Sequence, residues 1–363
     1  MGAVLLVAAA IRIYLNNVTL FSGADETVYL NHTRTLFNGG SYAQIVSAFI
    51  NGDPRGWLFP SPLRWSWIGA TTLSCVVAGE CTYHVLATLS TIAGIVAVAL
   101  TWWIARQWFD DRTALIAAAL VATSPLQLAL GRRALADEFF CALVLASIAT
   151  MLRYLQTERR SWLMAWIVAT TLTFAAKEQF LLIYPLFAIV WWLHTRRISI
   201  AWILPPLLYA AVFAILARDP GAFLSVWHLT TSTMGATYPE QYQNGPPHRL
   251  LIDFIAIAPI VTVATIAAFA RARREQRDVL ILLGGILVLH ALLATKNLRY
   301  IVSADPLMRV LTASFVGDKR WVVIGLLVNA VVELMLFRAI FITAGVYDPV
   351  TDSLLRALKM LPH

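Results

Sequence analysis

Charge is scarce in this 363-residue chain: Asp, Glu, Lys and Arg make up 13% of it, against 59% hydrophobic residues. That balance excludes a soluble globular core, because apolar stretches of 15 to 23 residues recur with only short charged connections between them. Cysteine is scarce too. Cys75, Cys81 and Cys141 show no metal-ligand spacing, and nothing about redox compartment follows from them. The chain lacks a phosphate-cradling Walker loop, a nucleophile-elbow serine and a paired-glycine dinucleotide motif, which lowers ATPase, serine hydrolase and dehydrogenase readings. Internal repeats and low-complexity tracts are missing as well.

What is present is a ladder of apolar runs. Residues 2–20, 84–105, 113–130, 138–155, 161–176, 180–194, 198–217, 251–270, 279–294, 301–316 and 321–342 read as eleven spans of an all-α polytopic membrane protein. "MGAVLLVAAAIRIYL" has no basic n-region and no clear small-residue cleavage site, so it is expected to be a retained first span. The stretch 62–79 carries Arg64 after "FPSP" and is borderline as a span.

With that stretch left outside the bilayer and the N-terminus cytoplasmic, inner connections hold thirteen Lys and Arg and outer ones after residue 84 hold seven. This satisfies the positive-inside tendency. The rival, with 62–79 spanning and an external N-terminus, passes the same test but turns Asp25 and Glu26 away from the other polar loops. The net charge of +8 therefore reflects orientation and is no sign of nucleic acid binding. The chain is expected to form one integral membrane unit over 1–363, with outer loops at 21–83 and 218–250 and a short tail at 343–363. The first loop reads as interfacial helices. The second, with Pro, Tyr and His in "TMGATYPEQYQNGPPHR", suits a substrate-facing lid or an unstructured link equally.

In the preferred topology five polar features share the outer face: Asp25–Glu26, "GRRALADEFF" at 131–140, "AAKEQF" at 175–180, the 218–250 loop, and "TKNLRYIV" at 295–302. Displacement at a sugar carbon bonded to phosphate needs such a set, a carboxylate to take the acceptor's proton and cations to hold the departing phosphate. Each feature also has a plain alternative. Arg133 and Asp137 are four apart and would share a helix face as a local salt bridge. Lys177 and Glu178 fit an interfacial pair with snorkelling stems. Lys296 and Arg299 lie three apart on one helical face, and with Tyr300 fit an aromatic and basic belt. Inside spans, Arg309, Arg338 and His290 each require a partner or water. Arg12 and Arg338, near span ends, are expected to snorkel, and His290 to be neutral packing.

Taken in order, "DETVY", "LFNGGSY", "FPSPLRW", "ARQWFDDRTALIAAALVATSP", "RRALADEFF", "AAKEQFLLIYP" and the later "KNLRYIVSADP" resemble GT-C membrane glycosyltransferases. The similarity is to family 39, the group of the protein O-mannosyltransferases and the lipid A aminoarabinose transferases. The resemblance implies a polyprenyl-phosphate-linked sugar donor, a lipid, glycan or protein acceptor with a hydroxyl or amine, an extracytoplasmic active site and inversion at the anomeric carbon. Asp25 matches the family's catalytic acid and is the expected general base, with Glu26 as its supporting neighbour and Asp137 as the second acidic position. Arg132, Arg133, Lys177, Lys296 and Arg299 form the expected donor-phosphate set. The sequence names no cofactor and leaves metal dependence open: Asp25, Glu26 and Asp137 offer oxygen ligands to a divalent cation, without a spacing that demands one. Ser61 in "FPSPLRW", the additional Arg133 and the short tail depart from the family pattern. The rival readings are a transporter or flippase of an anionic polyprenyl-phosphate lipid, which predicts basic residues deep in helices, and a non-catalytic assembly subunit.

Overall fold

The computed structural model describes residues 1–16, 23–52, 60–197, 199–233, 244–316, 321–346 and 351–360. Most of the second long loop's distinctive sequence, 234–243, lies outside the described residues, as do 53–59 of the first loop. Among the described residues the structure is helical, with a single isolated bridge between Asn244 and Thr295 as its extended pairing.

Helices α5 (Tyr83–Trp108) and α8 (Ala136–Thr157) form the central pair, flanked by α6 (Asp111–Ala122) on α5 and α9 (Arg160–Phe174) on α8. Thr82 opens α5 by accepting from the Val85 N–H, and Asp110 opens α6 by accepting from Thr113 at 2.7 Å. Small buried residues on α5, among them Ala93, Gly94 and Ala97, permit the close approach that membrane helices use in place of a hydrophobic drive. Among the described residues, four helical stretches are long and apolar enough to cross a membrane: Tyr83–Trp108, Ala136–Thr157, Ile200–Ala217 and Val322–Thr343. Gly2–Asn16, Trp65–Ala78, Phe180–Thr195 and Pro259–Ala270 are shorter apolar helices.

The run at 113–130 is a broken helix rather than one straight rod. α6 stops at Ala122, Ser124 caps α7 (Pro125–Gly131), Pro125 takes its first position, and the two axes bend by 56°. A break inside an apolar run leaves the last carbonyls of α6 without intrahelical partners. Two buried arginines supply them. Arg12 of α1 (Gly2–Asn16) donates to Ala122 at 3.0 Å and Val121 at 3.2 Å; Arg309 of α16 (Ala304–Val316) donates to Leu120 at 2.6 Å. Arg309 is further held by Asp305 at 3.0 Å and Glu333 at 2.8 Å, the latter on α17 (Val322–Phe337). Ser124 donates to Asp305 and Thr123 to Glu333, closing the network around the break. Arg309 thus has the partners its sequence position requires. Arg12, by contrast, does not snorkel: it is 2% exposed and its guanidinium donates to the end of another helix.

In the first loop, α2 (Ala24–Phe37) has Asp25 and Glu26 in its first turn, where unpaired N–H groups favour acids. Glu26 folds back to accept from the Gly23 N–H at 2.6 Å. α3 (Tyr42–Ile50) opens on a Ser41–Gln44 capping box and α4 (Trp65–Ala78) packs along α2. α3 contacts α11 (Leu204–Ala217) and α12 (Ala222–Thr233), and Thr230 of α12 donates to Ser61 at 2.9 Å. In the tail, α18 (Thr351–Ala357) rests on α13 (Arg249–Ile257).

Candidate active site

Two helix starts and two turns converge on one polar basin. Asp25 comes from the start of α2 and Asp137 from the first turn of α8. Lys177 and Glu178 come from the turn between α9 and α10 (Phe180–Thr195), and Arg299 from a 3-10 turn at Leu298–Ile301. Arg299 donates to Asp25 at 2.8 Å and to Asp137 at 3.3 Å, while the Lys177 ammonium donates to the other Asp137 oxygen at 2.6 Å. The four sequence-predicted residues Asp25, Asp137, Lys177 and Arg299 therefore form one unbroken chain of ion pairs. The Asp25 side chain is 33% exposed, the Asp137 side chain 2%. Of the two carboxylates, Asp25 is the one open to an incoming molecule.

A second layer supports this chain. Arg133 pairs with Glu26 at 2.7 Å. Arg64 grips Glu178 through two donors, at 2.9 and 2.5 Å, and the Tyr29 hydroxyl with a third at 2.5 Å. The fork geometry suits arginine and fixes the backbone beside Lys177. Burial alone would raise the Glu178 pKa, yet Arg64 outweighs it and holds the carboxyl below its ordinary range. Burial lowers the Lys177 pKa; Asp137 opposes this, Arg299 and Arg64 add to it, and the net value is below that of an ordinary lysine. At Arg132, burial and then neighbouring Arg133 act in the same downward direction.

Three placements differ from expectation. Arg133 does not share a helix face with Asp137, because α7 ends at Gly131 and the chain turns through 132–135 before α8 begins with Leu135 extended at its cap. Its guanidinium reaches α2 instead. Lys177 and Glu178 are buried in separate ion pairs and are not a snorkelling pair at the interface. Lys296 lies ahead of the short 3-10 turn and donates to the Leu293 carbonyl, so it does not share a helical face with Arg299. Arg64 was readable only as a charge in a borderline apolar stretch; nothing in its neighbourhood announced a partner 114 positions away.

Five cations (Arg64, Arg132, Arg133, Lys177, Arg299) and four carboxylates (Asp25, Glu26, Asp137, Glu178) populate this region, an excess of positive charge suited to a phosphate, whereas Lys296 is turned to the Leu293 carbonyl and has Arg249 as its charged neighbour. Asp25, Glu26 and Asp137 are each engaged by an arginine or lysine, and among the described residues no three His, Cys, Asp or Glu side chains gather to hold a metal ion.

Residues 61–218 match the family model of the dolichyl-phosphate-mannose-protein mannosyltransferases. No curated protein sequence matches the chain. Among solved structures, ArnT from Cupriavidus metallidurans in the apo state superposes with a TM-score of 0.65 at 17% identity, over 94% of this chain and 65% of that one. ArnT bound to undecaprenyl phosphate gives 0.63 at 18% identity, over 95% and 65%. The Archaeoglobus fulgidus oligosaccharyltransferase tethered to an acceptor peptide gives 0.59 at 15%, over 93% and 54%. The chain thus spans about two thirds of the length of ArnT and about half that of the oligosaccharyltransferase. The polypeptide is an integral membrane protein with the GT-C fold of these glycosyltransferases, and the match to the mannosyltransferase family model is confined to residues 61–218, under half of the chain.

Proposed function

We propose that this chain transfers a sugar from a polyprenyl-phosphate-linked donor to an acceptor hydroxyl or amine, on the extracytoplasmic face and with inversion. The observation that carries the reading is the Lys177–Asp137–Arg299–Asp25 chain, which sets two cations against a carboxylate open to solvent. The similar ArnT structure with undecaprenyl phosphate and the oligosaccharyltransferase with dolichol phosphate support a lipid phosphate as the donor's leaving group.

In this reading the donor phosphate enters beside Arg299 and Lys177 and competes with Asp25 for the Arg299 guanidinium. Asp25 is thereby released to accept a hydrogen bond from the acceptor. As the acceptor's oxygen or nitrogen bonds to the anomeric carbon, its proton passes to Asp25. The carbon–oxygen bond to phosphate breaks, and the polyprenyl phosphate departs with the electron pair, its charge met by Arg299, Lys177 and the neighbouring Arg132 and Arg133. Asp137 keeps Lys177 and Arg299 aligned.

A transport path would require wetted basic residues along the spans. The two deep arginines, Arg12 and Arg309, are 2% and 0% exposed and committed to helix-end carbonyls and carboxylates.

The test is transfer by the purified protein from polyprenyl-phosphate-linked sugars, in wild type and Arg299→Lys. Lysine keeps the charge but loses the fork that spans two carboxylates. The variant is expected to show a donor KM raised about tenfold or more. Transfer by Arg299→Lys at the wild-type KM would remove Arg299 from the phosphate site.

A further inference from the structure

Lys177 and Arg299 sit on different turns, and something must fix one relative to the other. The link runs through three residues outside the ion-pair chain. His290, on α15 (Arg277–Leu292), is 2% exposed, with Nδ1 2.8 Å from the Ile286 carbonyl and Nε2 2.7 Å from the Gln179 side-chain nitrogen. A carbonyl only accepts, so Nδ1 carries the proton and Nε2 offers a lone pair. The same Gln179 amide nitrogen donates to the Tyr300 carbonyl at 3.0 Å. Both amide protons are thereby assigned, and the amide's orientation follows from its two acceptors.

Gln179 lies two positions after Lys177, and Tyr300 follows Arg299 directly. The Tyr300 ring is also the face over which the Lys177 ammonium rests, 5.1 Å from its centroid, with Phe140 on another side at 5.9 Å. The Gln179 bridge therefore joins the α9–α10 turn to the 298–301 turn, and His290 anchors that bridge to a third helix.

We propose that His290, in its neutral Nδ1–H tautomer, and Gln179 are positioning residues that hold the Lys177 and Arg299 turns at the spacing one donor phosphate requires. This rests on the proposed transferase reading and goes beyond it by assigning a task to two residues that touch neither acceptor nor sugar. Without the imidazole lone pair, Gln179 loses one acceptor, the Tyr300 carbonyl is held less firmly, and the two cations no longer present a fixed pair to the phosphate. Neither His290 nor Gln179 bonds Asp25, so the base stays in place and the first loss falls on donor binding.

The measurement is donor KM and kcat, alongside direct binding of a polyprenyl phosphate, for wild type, His290→Phe and His290→Gln. Phe fills the space without a lone pair. Gln restores an oxygen acceptor for the Gln179 amide. The expected result is a donor KM raised about tenfold in His290→Phe, from loss of a buried hydrogen-bonded anchor, with kcat within about threefold of wild type and with His290→Gln returning most of the KM. Equal KM and lipid-phosphate binding in wild type and His290→Phe would overturn the assignment. So would a His290→Gln variant no better than His290→Phe. Failure of the wild type to bind a polyprenyl phosphate at all would instead overturn the transferase reading on which it rests.

Discussion

Asp25→Asn is expected to lower sugar transfer by about 10² to 10⁴, the usual contribution of a positioned base, while polyprenyl phosphate binding stays close to wild type. The asparagine is isosteric and its carbonyl oxygen still accepts from Arg299, which bonds Asp25 at 2.8 Å. What it lacks is a lone pair basic enough to take the acceptor's proton. The partial exposure of Asp25 makes the substitution structurally mild, and the folded yield should not change. Asp137→Asn provides the contrast. That carboxylate is buried between Lys177 and Arg299, so its neutralisation leaves two cations without their shared counter-charge and should damage donor binding and folding together. Full transfer by a folded Asp25→Asn protein would show that another group removes the proton.

The second large effect is on folding. Arg309→Leu strands Asp305 and Glu333 in the core and deprives the Leu120 carbonyl of its donor, all beside the bend in the α6–α7 helix. Breaking a buried ion network from one side costs about 3 to 5 kcal/mol, a large share of the stability of a typical fold. Thermal unfolding in detergent should show it as a steep loss of the folded fraction. Arg338→Leu, at an exposed arginine, is expected to lie within about 0.5 kcal/mol of wild type. Replacing Arg309 and both carboxylates together by apolar residues should recover much of the loss, because no charge is then left unmatched. Activity is expected to fall with stability, since α7 leads directly into Arg132 and Arg133.

The helical architecture was legible from run length and composition, because lipid leaves the backbone few alternatives. Breaks within runs were less so: the bend at 123–124 depends on guanidiniums from α1 and α16, far from it in sequence. The same limit applies at the site. Asp25, Asp137, Lys177 and Arg299 stood out as charges interrupting apolar runs, and family resemblance supplied their order. Their pairings could not be read, because Arg299 meets Asp25 across 274 positions and Lys177 meets Asp137 across 40. Local spacing even misdirected, since Arg133 and Asp137 have helical spacing but a turn between them. Arg64 and His290 stood out only as polar residues within apolar stretches, with no partner in view, and Gln179 gave no signal of its own. Their roles exist only once α2, α10 and α15 lie beside the 298–301 turn.

The most direct test of the account is photo-crosslinking with a polyprenyl phosphate carrying a photoreactive group on the first isoprene unit, followed by peptide mapping of the labelled protein. The account predicts labelling at the α9–α10 turn around Lys177 and at residues near Arg299, suppressed by excess unlabelled polyprenyl phosphate and reduced in Arg299→Lys. Labelling confined to other helices, unaffected by competitor or by that substitution, would contradict a lipid-phosphate site in the basin that Asp25, Asp137, Lys177 and Arg299 enclose.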